Sequence, residues 1–495
     1  MKRLSIRLAG LQCMACLFAG CAVVGPDYQR PATGIPASFT EAGPWKMATP
    51  ADATSRGDWW QLFGDPVLDD LERRARTASP KLQGAAARLE QARAVLGLAD
   101  ASRLPILELS PEVGGFGMSR NRPDQPENVP GNRAYDARRL RVPLYASYEV
   151  DLWGRLRRAS EAARARLDAS EASYQTLLLT LQGDVAQTYF DLRNLDAQLH
   201  LVATGVEIRR RARDLVTARW RGGIATELDV ARAETELATA EAEFLALTRR
   251  RGDTERALAV LVGSPPGPFS IEAATTQAHV PEIPVGLPSA LLERRPDVAE
   301  AERLLESRNA EIGVARAAFF PAVRLTGAVG FESSELSDLL KADSVIWGLA
   351  AGLAQPLFDG GRNRARLEGA RAAYAENLAL YRQQILVALS EVENSLAALR
   401  LLDEQAKVQA RAVVQANRAA MLTTARYKGG LVLILELIDA QRTQLAAERE
   451  ALEIRNRQLT AGVALVKALG GGWSGAGSLP PSATAPPASP MAGGT

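Results

Sequence analysis

Few residues in this chain are of the types that do chemistry. It holds two histidines, His200 and His279, and three cysteines, Cys13, Cys16 and Cys21. Neither histidine has a cysteine or a second histidine near it in sequence. A triad built on imidazole, or a metal site built on several histidines, therefore lacks its parts. The glycine-rich "GGWSGAG" near the C-terminus lacks the lysine of a phosphate-binding loop. The reading is of a protein that is not an enzyme, with no catalytic residue, no metal and no cofactor. On residue types alone a hydrolase using paired carboxylates stays open. What remains is one cysteine placed for modification and a few carboxylates placed beside two glycine pairs.

The cysteine comes first. Lys2, Arg3 and Arg7 make a basic start, and "LAGLQCMACLFAG" is an apolar run too short to span a bilayer. The run ends in "FAGC". Small residues before Cys21 resemble a lipoprotein signal, in which residues 1–20 are removed and the cysteine is acylated. Phe18 stands where leucine is usual, and an ordinary signal peptide with an incidental cysteine is the other reading. Ala22, rather than an aspartate, implies sorting to the outer membrane. Cys13 and Cys16 would leave with the leader, so no thiol remains for a disulfide or a zinc site. The full chain has 59 basic and 57 acidic residues. Three of the basic ones lie in the leader, so the processed chain is near neutral and nucleic-acid binding gains no support. The clusters Arg209-Arg210-Arg211 and Arg249-Arg250-Arg251 read as solvated helix faces.

The carboxylates lie beside a motif written twice. "ARWRGGIATELDVARAE" begins at Ala218 and "ARYKGGLVLILELIDAQ" at Ala425, 207 positions later. The same offset relates "WGRLRRASEAARA" from Trp153 to "GGRNRARLEGARA" from Gly360. Upstream the offset is 216, relating "LEQARAVLGLADASRLP" from Leu89 to "LESRNAEIGVARAAFFP" from Leu305. Two halves share one plan.

Positioning these motifs takes long helices. Ala, Leu, Arg, Glu and Gln dominate, and aromatics are only 5% of the chain. Leu178, Leu181, Val185, Thr188, Leu192, Leu195 and Leu199 step by three and four, a coiled-coil seam. Ile385, Ala388, Val392, Ser395 and Leu399 repeat it. No proline interrupts Arg155 to Arg219. At about 1.5 Å per residue that helix spans roughly 100 Å. The glycine pair then turns the chain back. Each half holds a long helical hairpin with the repeated motif at its tip.

Between helices lie alternating stretches of about ten residues. Leu140, Val142, Leu144, Ala146, Tyr148 and Val150 share a face, and Val323, Leu325, Val329 and Phe331 share another. Partners begin at Ile106 and Val345. Their length suits a membrane barrel, although a soluble half-buried sheet alternates the same way. Pro111 and Pro143 predict bulges or edges. The division is 1–20 signal peptide, 21–78 lipidated segment and first helix, 79–263 first repeat, 264–290 linker, 291–470 second repeat and 471–495 a disordered tail. No run of eighteen apolar residues follows the leader. Four strands cannot close a barrel, and open edges are not tolerated in lipid, so a barrel needs further copies.

Several motifs together, "CAVVGPDYQRP", Trp59-Trp60 of "DWWQLFGDPVLDDL", "VDLWGRLRRASEAARA", "ERRPDV" and "QPLFDGGRNRARLEGA", resemble the TolC-like outer-membrane efflux lipoproteins of the NodT type. The resemblance covers about Cys21 to Gly470. It implies a mainly α fold with a membrane β part and an internal two-fold repeat. The long hairpins would form an α-barrel continuous with a β-barrel, which a homotrimer completes with four strands per protomer. It implies a passive efflux conduit for drugs or other small solutes, held at outer-membrane lipid through Cys21. The partners implied are a periplasmic membrane-fusion adaptor and an inner-membrane RND-type pump. Type I protein secretion is the alternative, and a lipid-anchored periplasmic coiled-coil scaffold a third reading.

The resemblance also gives the tips a role. Glu436 and Asp439 match the family's acids at the periplasmic constriction, and Asp229 is the echo of Glu436. The echo of Asp439 is Arg232. A ring of such carboxylates attracts cations and repels anions. Gly222, Gly223, Gly429 and Gly430 occupy the tips presented to the adaptor. Val432 stands where relatives carry a basic or polar residue, which implies apolar packing in place of a salt-bridge latch.

Overall fold

A computed structural model describes residues 23–32, 56–119, 135–275, 279–281 and 295–471. Cys21, the leader and residues 472–495 of the expected tail lie outside them. A 3₁₀ segment, Arg56–Phe63, leads into helices α1, Pro66–Ala78, and α2, Pro80–Ala101. Strands β1, Ile106–Leu109, β2, Glu112–Met118, and β3, Tyr135–Val150, follow. Helix α3 runs Arg155–Arg221 and α4 Glu227–Leu261. After α5, Pro296–Ala317, come β4, Ala322–Ser333, and β5, Val345–Ala354. Helices α6, Arg362–Lys428, and α7, Ile434–Ala468, complete the chain. Helices α3 and α6 are each 67 residues long, and α4 and α7 each 35. Among the described residues no helix is long and apolar enough to cross a membrane.

The chain separates into two compact units, each drawing on both halves of the sequence. One takes residues 86–171 and 300–383 with residues 23–32, and holds the sheet. Its order is β1-β3-β4-β5, all antiparallel, with β2 beside β1 on the same side of β3. There are thus four strand positions. The expected bulge at Pro111 is absent. Register runs on unbroken from Leu109 opposite Leu144 to Glu112 opposite Arg141. The gap between β1 and β2 has a simpler cause. Ser110 donates to the Pro143 carbonyl at 3.2 Å, but Pro143 has no N–H to return the bond. On its other side Pro143 faces Gly330. A Cβ there would lie 2.2 Å from the Val142 carbonyl oxygen, so only glycine allows this close pair.

The sheet has two unlike faces. Paired residues share a face, so Leu109, Leu144, Val329 and Trp347 lie in one row, and Leu325 and Ala351 in another. Arg141 and Glu332 pair on the opposite face, their side chains 3.1 Å apart. Trp347 and Leu349 are 80% and 82% exposed. The N-terminal stretch is tied to the same unit. Arg30 binds Glu302 in a two-bond fork, Asp27 pairs with the buried Arg158, and Asn309 donates to the Pro26 carbonyl. Asp151 caps α3 by accepting from the amides of Leu156 and Arg157, and Asp359 caps α6 through Asn363.

The other unit takes residues 56–85, 172–275, 279–281, 295–299 and 384–471 of those described. Its main core sets Trp59, Trp60 and Phe63 against Leu68, Leu71, Phe190, Val392 and Val463. Tyr189 donates to Asp65 at 2.6 Å, and Trp59 to Gln182 at 3.2 Å. Leu181, Val185, Leu192 and Leu195 of the α3 seam are buried, as are all five named residues of its echo. The arginine clusters are not simply solvated. Arg209 is buried, and Arg251 donates to Asp196 and to the Ile271 carbonyl. Arg295 of "ERRPDV" is buried too, paired with Asp297 and Glu391.

Candidate functional site: the two hairpin tips

Both tips belong to the second unit, and they end their long helices in the same way. Gly222 donates to the Ala218 carbonyl, Gly223 to Trp220 and Ile224 to Arg219. Gly429, Gly430 and Leu431 repeat the pattern with Ala425, Tyr427 and Arg426. This is the Schellman ending, in which the residue past the helix turns left-handed. Gly223 and Gly430 have φ of 73° and 74°. Space is open around both, so glycine is needed for its backbone and not for a close approach. Gly222 and Gly429 have neither constraint.

The returning helices start differently. Thr226 caps α4 in a reciprocal box. Its hydroxyl accepts from the Asp229 amide, while the Asp229 carboxylate accepts from the Thr226 amide at 3.0 Å and its hydroxyl at 2.8 Å. The amide bond first, then the hydroxyl, hold the Asp229 carboxyl below the ordinary range. It is therefore ionised, and it has a capping task as well. The T-x-x-D spacing carries that signal in the sequence. Helix α7 has Leu433 at the corresponding position, with no side-chain cap. Glu436 and Asp439 stand exposed on its first turns, one turn apart and so on one face.

An apolar cluster gathers both tips. Val216 and Ala233 of the first hairpin meet Tyr427, Ile434, Leu437 and Ile438 of the second, with Val432 packed on the margin. The strand-like "LVLILELI" is thus the entry to a helix whose alternate sides differ. Ile434, Leu437 and Ile438 are buried, while Leu431, Leu433 and Leu435 are exposed.

Arg219 adds a polar tie. Its guanidinium lies 4.7 Å from the Tyr427 ring centre and donates to the carbonyls of Tyr427 and Lys428 at 3.1 to 3.3 Å. Those carbonyls close helix α6, so a cation there also meets the negative helix end. Sequence reasoning missed this role. The shared Ala-Arg-aromatic triplet at both tips is the only hint of it. Farther up, α4 and α7 are joined by Glu236 with Arg442 and, seven residues on, Glu243 with Arg449. Among the described residues no cluster of three or more His, Cys, Asp or Glu could hold a metal.

The arrangement offers carboxylates, exposed leucines and a left-handed turn at each tip. The family model described as outer membrane efflux protein matches residues 71–264 and 287–471. The pyoverdine export outer membrane protein OpmQ of Pseudomonas putida is 36% identical over 436 residues, 87% of this chain and 91% of that protein. The cation efflux system protein CusC of Escherichia coli is 31% identical, over 93% of this chain and 98% of that protein. The solved outer-membrane channel OprN superposes with a TM-score of 0.83 at 30% identity, covering 92% of this chain and all of that one.

Proposed function

The chain belongs to the outer membrane efflux protein family, and on that premise we propose that three copies form an outer-membrane efflux channel. The observation that carries this is the sheet. One face is apolar and open to its surroundings, with Trp347 and Leu349 almost fully exposed, while Arg141, Glu332 and Thr326 line the other. Water disfavours so large an apolar patch, and a lipid surround favours it. The sheet also ends in open edges at β1–β2 and β5. Three copies of four strand positions supply twelve strands, and closure satisfies every edge.

The equal helix lengths in the two halves support an internal repeat, and with it a near-sixfold wall of hairpins. The tips then form its periplasmic end. Glu436 and Asp439 from three copies supply six carboxylates at the opening, with Leu431, Leu433 and Leu435 as an apolar constriction. Asp229 adds charge from the first tip while holding its own helix cap. Gly222, Gly223, Gly429 and Gly430 offer the turns to a periplasmic adaptor, and an inner-membrane pump supplies the energy. Cys21 carries the lipid anchor, two residues before the tied stretch that starts at Val23. The cargo is a drug or other small solute.

Native mass spectrometry of the protein extracted in mild detergent tests the assembly. The expected species is a three-chain complex bearing one diacylated or triacylated N-terminus per chain. A folded monomer that survives as the main species would rule the closed barrel out.

A further inference from the structure

A groove of about 530 Å³ lies in the helical unit between α3, α6 and α7. That volume is in the range of small-molecule sites, about 300–1,000 Å³. One wall is apolar, made by Ile208, Met421 and Leu445. Two polar groups face it without adequate partners. The Asn417 Oδ1 atom is buried and accepts no hydrogen bond. The Arg209 side chain is 9% exposed, and its hydrogen bond goes to the Gly205 carbonyl of its own helix at 3.3 Å.

The nearest acid does not satisfy Arg209. Glu236 is 3.9 Å away and is held closely by Arg442. Glu243 is likewise taken by Arg449. Three arginines thus share two glutamates, and Arg209 is the one left over. Burial pulls its pKa down, as it does for a cation short of counter-charge. Within the groove itself Lys428 and Glu448 offset one another in formal charge, so Arg209 leaves a positive surplus. Gly205 makes room for this. A Cβ there would come within 2.9 Å of the Arg209 guanidinium.

We propose that this groove binds an amphipathic organic anion, its acid group on Arg209, its apolar body against Ile208, Met421 and Leu445, and a donor on Asn417. A buried charge without a full partner is costly, and an anionic ligand removes that cost. The ligand would touch α3 of one hairpin and α6 and α7 of the other, so its binding is linked to their separation. The proposal does not depend on channel activity.

The test is calorimetric titration of anilinonaphthalene sulfonate, which carries an acid, aromatic rings and an N–H donor. The protein is the full chain in lipid nanodiscs, with empty nanodiscs as the blank. Saturable binding near one per chain is expected. Arg209→Met should weaken it at least tenfold by removing the charge, and Met421→Trp should do the same by filling the groove from the other wall. Both variants are checked for an unchanged melting temperature, and Asn417→Leu replaces either one that fails. Absence of saturable binding, or wild-type affinity in either folded variant, overturns the proposal.

Discussion

Removing Arg219 should loosen the tips more than any other single side chain there. Its contacts cross from the first hairpin to the second, so they resist separation of the two. Hydrogen bonds from a charged donor are worth about 1.5–3 kcal/mol each when well made. These three are long, at 3.1 to 3.3 Å, and share one guanidinium and two carbonyls, so together they are better placed at about 1 kcal/mol. The ring contact adds about 0.5–1 kcal/mol and the helix-end charge about 0.3–1 kcal/mol. Allowing for overlap, Arg219→Ala should cost about 2 kcal/mol of closed-state stabilisation. At about 1.4 kcal/mol per tenfold, that shifts the closed-to-open ratio about thirtyfold. Tyr427→Leu removes only the ring, leaving the carbonyl bonds, and should shift it about threefold. Open probability in planar bilayers reads both. If Arg219→Ala leaves open probability unchanged while the protein melts as the wild type does, the tie between the tips is not part of closure.

Other expectations follow from single sites. Glu436→Ala with Asp439→Ala should raise conductance and weaken cation preference to what Asp229 alone supplies, seen as a reversal potential shifted toward zero under a salt gradient; unchanged selectivity would remove those acids from the gate. Glu72 is fully buried in α1 with neither carboxylate oxygen hydrogen-bonded. Burial pushes its pKa well above the ordinary value, against a partial opposing pull from Arg76, with Asp69 adding a lesser push upward. A raised folded-state pKa means the group is tolerated while protonated. Its penalty grows as pH rises past the unfolded value of about 4.3. Glu72→Leu should therefore stabilise the protein at neutral pH by about 1–3 kcal/mol and flatten its melting profile above pH 5. Melting temperatures from pH 4 to 8 should show the two proteins diverging upward; parallel curves would contradict a buried, unpaired acid. Gly330→Ala should prevent β3–β4 pairing and abolish outer-membrane insertion, whereas Gly115→Ala, with only an ordinary contact to Ala137, should insert normally.

The helices were the legible part. A seam stepping from Leu178 to Leu199 and its echo at Ile385 announce their positions, because burial along a helix imposes that period. The glycine pairs announce the turns, since a left-handed ending has few tolerant residues. Faces of the sheet could be read from alternation, but Pro143 could not. Its consequence depends on which neighbour it fails to bond, and register is a tertiary fact. Charged residues were the least legible. Arg209 and Arg251 look like any surface arginines, and only the packing of neighbouring helices decides which is buried. Asp229 carried two signals at once. Its place in the repeat pointed to the constriction, and its spacing from Thr226 pointed to a helix cap, which the backbone now occupies.

Whether this chain makes a pore is decided by single-channel recording of the purified protein in planar lipid bilayers. Discrete, long-lived conductance steps with cation preference are expected from correctly folded protein. Folded, inserted protein that passes no current at any applied voltage, with the tip ties intact or removed by Arg219→Ala, would rule the pore out.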